Sequence, residues 1–261
     1  MPTKMRLYHA SSSYFSMIAR LALLEAGLPF ETRRLDIHFA KEQLTPWYIA
    51  INPAMTVPSL ADANAILTDS RDILRRARDS AGTNWMDSGP AARDLIEKIV
   101  ADHYAIKIEY LTFGTAFLSK PLLRYAFLHF LKRIVARLER SLPSAKDPQA
   151  ILRKVEINRE RLSFFASVDL ADRVGQERVK VAALLDRLPV PGNFLLGDRT
   201  SSADVVVGVL LARLKMIGLY SQFASPHTPL DAWYLRYRRR DIVQRADLWE
   251  KFQPLRVLMK R

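Results

Sequence analysis

The chain changes hydrophobic period several times in its first eighty residues and then keeps a helical one. Residues 5–8 read as a short strand. From Ser16 onward the apolar positions Met17, Leu21, Leu24 and Ala26 recur at helical spacing. Gly27 sits where a left-handed cap would end that helix, and Pro29 prevents its continuation. Residues 30–36 alternate well enough for a second strand, and residues 42–49 predict a short helix leading into Asn52-Pro53. Ser59-Leu60 and Ile66-Leu67, on either side of Asp62-Ala63-Asn64, predict a hairpin with a tight turn. Asp69-Ser70 then caps a helix reaching about Arg78. This β-α-β-α-β-β-α order predicts a small α/β sheet covered by helices.

Beyond the polar linker 82–90 the pattern is all helical. Residues 90–118 read as one long helix and residues 121–142 as a second, with a polar, proline-containing break at 141–148. Residues 149–188 carry one or two further helices, ended by Pro189-Val190-Pro191-Gly192. Residues 201–219 and 229–245 are later helices, and Ser201 with Asp204 has capping-box spacing, a structural device. In 121–142, Leu123, Phe127, Phe130, Ile134 and Leu138 make an apolar stripe bordered by Arg124, Lys132, Arg133, Arg137 and Arg140. Such a basic amphipathic helix can lie on a membrane or extend or lid a pocket, but packing under the insertion that follows is the expected use. The domains expected are 1–81, α/β, and 90–261, all-α.

Composition narrows the chemistry. The 261 residues are 49% apolar with only nine glycines, enough to bury a sizeable core. There is no cysteine, which excludes structural disulfides, Cys-ligated metal and thiol catalysis by the protein itself. His103 and His129 have no companions at metal-ligand spacing, so no metal is expected. Met1 to Tyr8 contains no signal-peptide core and no stretch is long and apolar enough to span a bilayer, so a cytoplasmic protein without membrane association is expected. The net charge of +13 and the run Arg236-Tyr237-Arg238-Arg239-Arg240 come with no recognition motif, and no nucleic-acid partner is expected.

Three local signals carry candidate chemistry. Val57-Pro58, just before a strand, is either a pairing-limiting proline or a cis peptide that turns the Val57 backbone outward. Ser70 at a helix start offers a hydroxyl and backbone N–H groups to a carboxylate, or is simply part of a cap. Ser11-Ser12-Ser13 stands where the first strand enters the first helix.

Leu7-Tyr8 followed by Ser13, Ile51-Asn52-Pro53 with Val57-Pro58-Ser59-Leu60, Asp69-Ser70, and Asn193-Phe194-Leu195-Leu196-Gly197-Asp198 with Ala203-Asp204 together resemble the soluble glutathione transferase superfamily over nearly the whole chain. The opening segment and Leu35-Asp36-Ile37-His38 with Trp47-Tyr48 are similar to the theta, zeta and tetrachlorohydroquinone dehalogenase-like branches. The resemblance implies an N-terminal thioredoxin-like domain (βαβαββα) followed by a helical domain, glutathione as cosubstrate, a small electrophilic molecule as second substrate, and a homodimer. It also implies Ser13 as hydrogen-bond donor to the glutathione sulfur, with Ser11 and Ser12 as competitors for that role. Val57 and Pro58 would serve the cysteinyl part, Asp69 and Ser70 the γ-glutamyl end, and Lys41 the glycyl carboxylate. Thr56 stands where relatives often have Gln, and Met55 where zeta enzymes have Lys. Phe15 occupies the position of the dehalogenase and zeta cysteine, so a mixed disulfide with the protein is excluded. Tyr14, Phe15, Tyr104, Lys107, Ile108 and Phe113 are the expected lining of the second pocket. The function expected is thiol transfer to a hydrophobic, aromatic electrophile, including ether cleavage or dehalogenation in aromatic catabolism. The alternatives are glutathione-dependent cis-trans isomerisation and a non-catalytic binding protein of the same fold.

Overall fold

The structure is a computed structural model and describes residues 5–62, 65–145 and 147–253. Met1 to Lys4 and the hairpin tip Ala63-Asn64 lie outside the described residues. The first part contains β1 (Met5–His9), α1 (Tyr14–Glu25), β2 (Phe30–Arg34), α2 (Pro46–Ile49), β3 (Ser59–Ala61), β4 (Ile66–Leu67) and α3 (Ser70–Ala81). The sheet order is β2-β1-β3-β4, with β1 parallel to β2 and antiparallel to β3. Leu7 pairs with Thr32 on one side and with Leu60 on the other. Leu7, Leu60, Ala19, Leu23 and Ile73 form a closed cluster between the sheet and its helices. The expected element order is therefore observed, with β2 ending at Arg34. Beyond it, the Asp36 carboxylate accepts the N–H groups of His38, Phe39 and Ala40 and turns the chain toward α2.

The helical part comprises α4 (Pro90–Ala105), α5 (Ile108–Ser119), α6 (Pro121–Ser141), α7 (Pro148–Ala166), α8 (Leu170–Leu185), α9 (Ser202–Met216), α10 (Tyr220–Phe223), α11 (Pro229–Tyr237) and α12 (Asp241–Arg245). The single helix expected over 90–118 is broken into α4 and α5. Ile106 and Lys107 leave the helical conformation. The buried Glu177 carboxylate on α8 accepts the Lys107 N–H at 2.7 Å, and Lys180 donates to the Ala105 carbonyl at 3.4 Å. A carboxylate seventy positions away thus satisfies the backbone group that the break exposes. The apolar stripe of α6 is also rotated from expectation. Leu131, Val135 and Leu138 are the buried positions, whereas Leu123 and Phe130 are exposed.

The core joins both parts. Helix α9 is buried on all sides from Ser202 to Leu214, as a central helix must be. Ser201 starts it as anticipated: its Oγ accepts the Asp204 N–H while the Asp204 carboxylate accepts the Ser201 N–H at 2.9 Å and the Leu195 N–H at 2.8 Å. On the sheet-facing side, Tyr14, Met17, Ile18 and Leu21 of α1 share one cluster with the α9 residues.

Candidate functional site

β1 delivers the segment Ala10-Ser11-Ser12-Ser13 to the start of α1. The Ser13 N–H bonds to the Ala10 carbonyl at 3.1 Å, closing a turn. Ser13 is the N-cap of α1, and its Oγ accepts the Ser16 N–H at 3.4 Å. A capping hydroxyl uses a lone pair, so its proton stays available to an outside acceptor. The first-turn N–H groups of Tyr14 and Phe15 are at the same end. The neighbouring hydroxyls differ. Ser12 Oγ shares a 2.8 Å hydrogen bond with His38 Nε2, and Ser16 Oγ is fully buried and accepts the Ala10 N–H. The Ser11 hydroxyl has no partner among the described residues.

The serine segment is held from beneath by two buried arginines. Arg20 donates to the Ala10 and Ser11 carbonyls at 3.4 and 3.2 Å, to His9 Nδ1 at 3.1 Å, and to the Ala246 and Asp247 carbonyls. Arg213 on α9 donates to the Ser12 carbonyl at 3.2 Å. Burial, together with the charges of Arg20 and Arg34, pushes the His9 imidazole down to about 3, so it stays neutral.

Across the site, the loop before β3 is built around Asn52, which is fully buried. Its Nδ2 donates to the Thr56 carbonyl, the Thr56 hydroxyl and Ser59 Oγ at 2.9, 3.2 and 3.0 Å. Tyr48 adds a 2.6 Å bond to the same Thr56 carbonyl. The Val57-Pro58 bond is cis, and the Val57 backbone takes part in no hydrogen bond among the described residues. Its N–H and C=O are thus unpaired among the described residues. Asp69 caps α3 by accepting the Arg71 N–H at 2.7 Å. Ser70, next to it, is buried, and its Oγ lies 3.0 Å from the Tyr104 hydroxyl.

Helices α6 and α7 close one flank. Met55 adopts a positive φ of 54° and inserts its side chain among Val135, Leu138, Ala150, Ile151 and Val155. Lys154 of α7 donates to the Ala54 and Met55 carbonyls at 3.2 and 3.0 Å. Burial pulls the Lys154 ammonium down to about 8. Lys41 donates to the Ile37 and His38 carbonyls and lies 4.3 Å from the centre of the Phe130 ring on α6, with burial lowering its pKa.

The six positions expected to line a second pocket separate into three groups. Phe15 and Tyr104 stack nearly parallel, 6.1 Å apart and 8° between planes, beside Ser70. Tyr14 and Ile108 belong to the core, 6% and 5% exposed; the Tyr14 hydroxyl is 2.6 Å from His103 Nε2. Phe113 is exposed and stacks on Phe117 and Phe127 of that same core cluster, and Lys107 is exposed with its Nζ near the Tyr110 ring. Helical spacing brought these residues to one segment, but the break at Ile106 re-aims those that follow it. Arg20, Asn52, Lys154 and Arg213 were not foreseen. A single arginine within the apolar run of α1, and another within that of α9, was the readable signal for two of them. Among the described residues no three His, Asp or Glu side chains are grouped to hold a metal ion, and no helix is long and apolar enough to cross a membrane.

Comparison with known proteins agrees with this geometry. Residues 12–79 match the family model described as glutathione S-transferase, N-terminal domain. The chain is 28% identical to the tetrachloro-p-hydroquinone reductive dehalogenase of Sphingobium chlorophenolicum, over 92% of this chain and 94% of that protein. A glutathione S-transferase structure from Xylella fastidiosa matches with a TM-score of 0.57 at 23% identity, covering 93% and 96% of the two chains. A theta class glutathione S-transferase from Xanthomonas axonopodis pv. citri, with glutathione bound, matches with a TM-score of 0.51 at 19% identity, covering 95% and 98%. The stretch from Ser12 through the cis Val57-Pro58 bond to α3 thus falls within the matched domain, and residues 12–79 are similar to the glutathione S-transferase N-terminal domain.

Proposed function

We propose that this protein is a glutathione S-transferase that binds glutathione as cosubstrate and activates its thiol through the Ser13 hydroxyl. The observation that carries the reading is the cap geometry: of Ser12, Ser13 and Ser16, only Ser13 is a partly exposed N-cap whose hydroxyl is engaged solely as an acceptor, since Ser12 is bonded to His38 and Ser16 is fully buried. A donated hydrogen bond and the helix end both favour a thiolate over a thiol. Because the chain has no cysteine, any thiol chemistry here uses the sulfur of glutathione. The open Val57 backbone accommodates the cysteinyl amide, Ser70 the γ-glutamyl carboxylate, and Lys41 the glycyl carboxylate. The glutathione in the theta class relative's structure supports the same ligand.

The electrophile we assign is flat and aromatic, because the parallel Phe15 and Tyr104 rings offer a stacking surface beside the thiol position. In the reaction a carbon–sulfur bond forms at an aryl, benzylic or β-aryl-ether carbon as the bond to the leaving group breaks, and the leaving group departs with the electron pair. We place the glutathione site in residues 1–81 and the second-substrate surface partly in residues 90–261, and we propose a homodimer formed through the first domain and the early helices of the second. The reading is tested by the ultraviolet absorbance of the thiolate of bound glutathione in the wild type and in Ser13→Ala. A raised thiol pKa and slower arylation of glutathione in the variant are expected. Identical thiolate titrations in the two proteins would remove Ser13 from the role.

A further inference from the structure

Arg213 is a buried cation that no carboxylate answers among the described residues. It is 7% exposed, within a helix whose neighbouring positions are apolar from Val205 to Leu214. Other half-buried arginines are paired: Arg240 with Glu25 and Arg161 with Glu109. Arg213 donates to the Ser12 carbonyl and lies 5.4 Å from the centre of the Tyr14 ring. Its Nε has no partner, and no Asp or Glu contributes to its electrostatic environment among the described residues. Burial pulls its pKa down to about 10, which still leaves it charged at neutral pH. Removing a guanidinium from water without a counter-charge is strongly unfavourable. The position is compensated once an anion arrives nearby, and the backbone it holds is the one that presents the Ser13 hydroxyl.

We propose that Arg213 is the buried counter-charge of the glutathione thiolate, raising the fraction of anionic sulfur at Ser13 without touching it. The inference rests on the glutathione reading above. It makes Arg213 a positioning residue whose charge matters, with the thiol proton released to water. The competing account is mechanical. In it, Arg213 only ties the serine segment to α9, assisted by the Tyr14 ring face and by the negative end of its own helix. The two accounts separate because a tie needs a hydrogen-bond donor, whereas a counter-charge needs the charge.

Arg213→Gln keeps a donor and removes the charge, and Arg213→Lys keeps the charge. Arg213→Met, which puts apolar volume in place of a buried ion, is a second neutral variant should the glutamine protein fold poorly. For each, the thiol pKa of bound glutathione is read from thiolate absorbance, and the affinity for S-methylglutathione, which has no titrating thiol, is read by calorimetry. The expected result is a thiol pKa raised by about one unit in the neutral variants. It returns to near the wild-type value in Arg213→Lys, while S-methylglutathione binds all variants equally. An unchanged thiol pKa in the neutral variants overturns the proposal. So does a parallel loss of S-methylglutathione binding, which would assign Arg213 to the mechanical role. A wild-type protein that binds no glutathione overturns the functional reading itself, an outcome recognisable before any variant is made.

Discussion

The Tyr104 hydroxyl stands 3.0 Å from Ser70 Oγ, so a residue of the helical part is bonded to the serine at the start of α3. A phenol is the stronger acid of the two, and donation from Tyr104 to Ser70 leaves the Ser70 proton free to point at a carboxylate. The two hydroxyls then form a relay in which each bond polarises the next. Tyr104→Phe is expected to weaken S-methylglutathione binding by several fold, the equivalent of about 1 kcal/mol for one lost hydrogen bond. Adding Tyr104→Phe to Ser70→Ala should cost nothing further, because the pair acts as a unit. Calorimetric titration of the four proteins checks both statements, and tighter binding by Tyr104→Phe would mean that Tyr104 competes with the ligand.

Lys154 offers a second handle on the site from outside the matched domain. It ties the Ala54 and Met55 carbonyls to α7, one residue before Thr56 and two before Val57. Lys154→Met removes both hydrogen bonds and leaves the half-buried Met55 carbonyl without this donor. The expected loss of stability is about 1–3 kcal/mol, in the range for orphaned backbone acceptors. Affinity for S-methylglutathione should fall because the Val57 backbone is less well fixed, and Lys154→Arg should recover part of both losses. Denaturant titration together with ligand binding checks this; normal binding by a destabilised Lys154→Met protein would detach the loop tie from the site.

The element order of the sheet was legible because strand and helix periods differ and because Gly27, Pro29, Pro53 and Pro58 punctuate the chain. The serine segment and the Ser201–Asp204 cap were legible for the same local reason, whereas Val57-Pro58 read equally as a pairing-limiting proline or a cis peptide. What escaped were features set by distant partners. Nothing near Ile106 announces a break, since the carboxylate that stabilises it, Glu177, belongs to α8. The buried stripe of α6 is fixed by where α7 lies, which shifts it from Phe130 and Ile134 to Leu131 and Val135. Lys154 sits in a helix dense with charge, so no local contrast marks it, whereas Arg20 and Arg213 interrupt apolar runs.

His103 gives the fold an acid-sensitive point. It is buried, its Nε2 bonds to the Tyr14 hydroxyl, and burial holds its pKa at about 3 against an ordinary value of 6.5. The folded protein therefore binds fewer protons here than the unfolded chain between those values. Its stability contribution is complete above pH 6.5 and is lost as the pH falls toward 3. His9 acts in the same direction, while Asp204, raised to about 6 by burial, gains stability on acidification and opposes them. Urea midpoints between pH 7 and 4 should fall less steeply in His103→Leu than in the wild type, whatever the variant's absolute stability. Equal slopes would show that His103 takes up no proton on unfolding.

Gly208 tests the close packing of α9 against α11. Helix propensity alone says that alanine at a mid-helix glycine should stabilise by up to about 1 kcal/mol. A Cβ at this position, however, would stand 2.5 Å from Cε1 of Tyr237, whose ring is 2% exposed and stacked on Trp233. The ring is hemmed in, because its hydroxyl faces Glu25 on α1 and Arg240 packs against its face. Overpacking of that kind costs about 1–3 kcal/mol and outweighs the propensity gain. Gly208→Ala is thus expected to lower the denaturation midpoint, and Gly208→Ala combined with Tyr237→Leu should recover part of the loss relative to the sum of the single changes. A more stable Gly208→Ala protein would mean that α11 can move away from α9 at little cost.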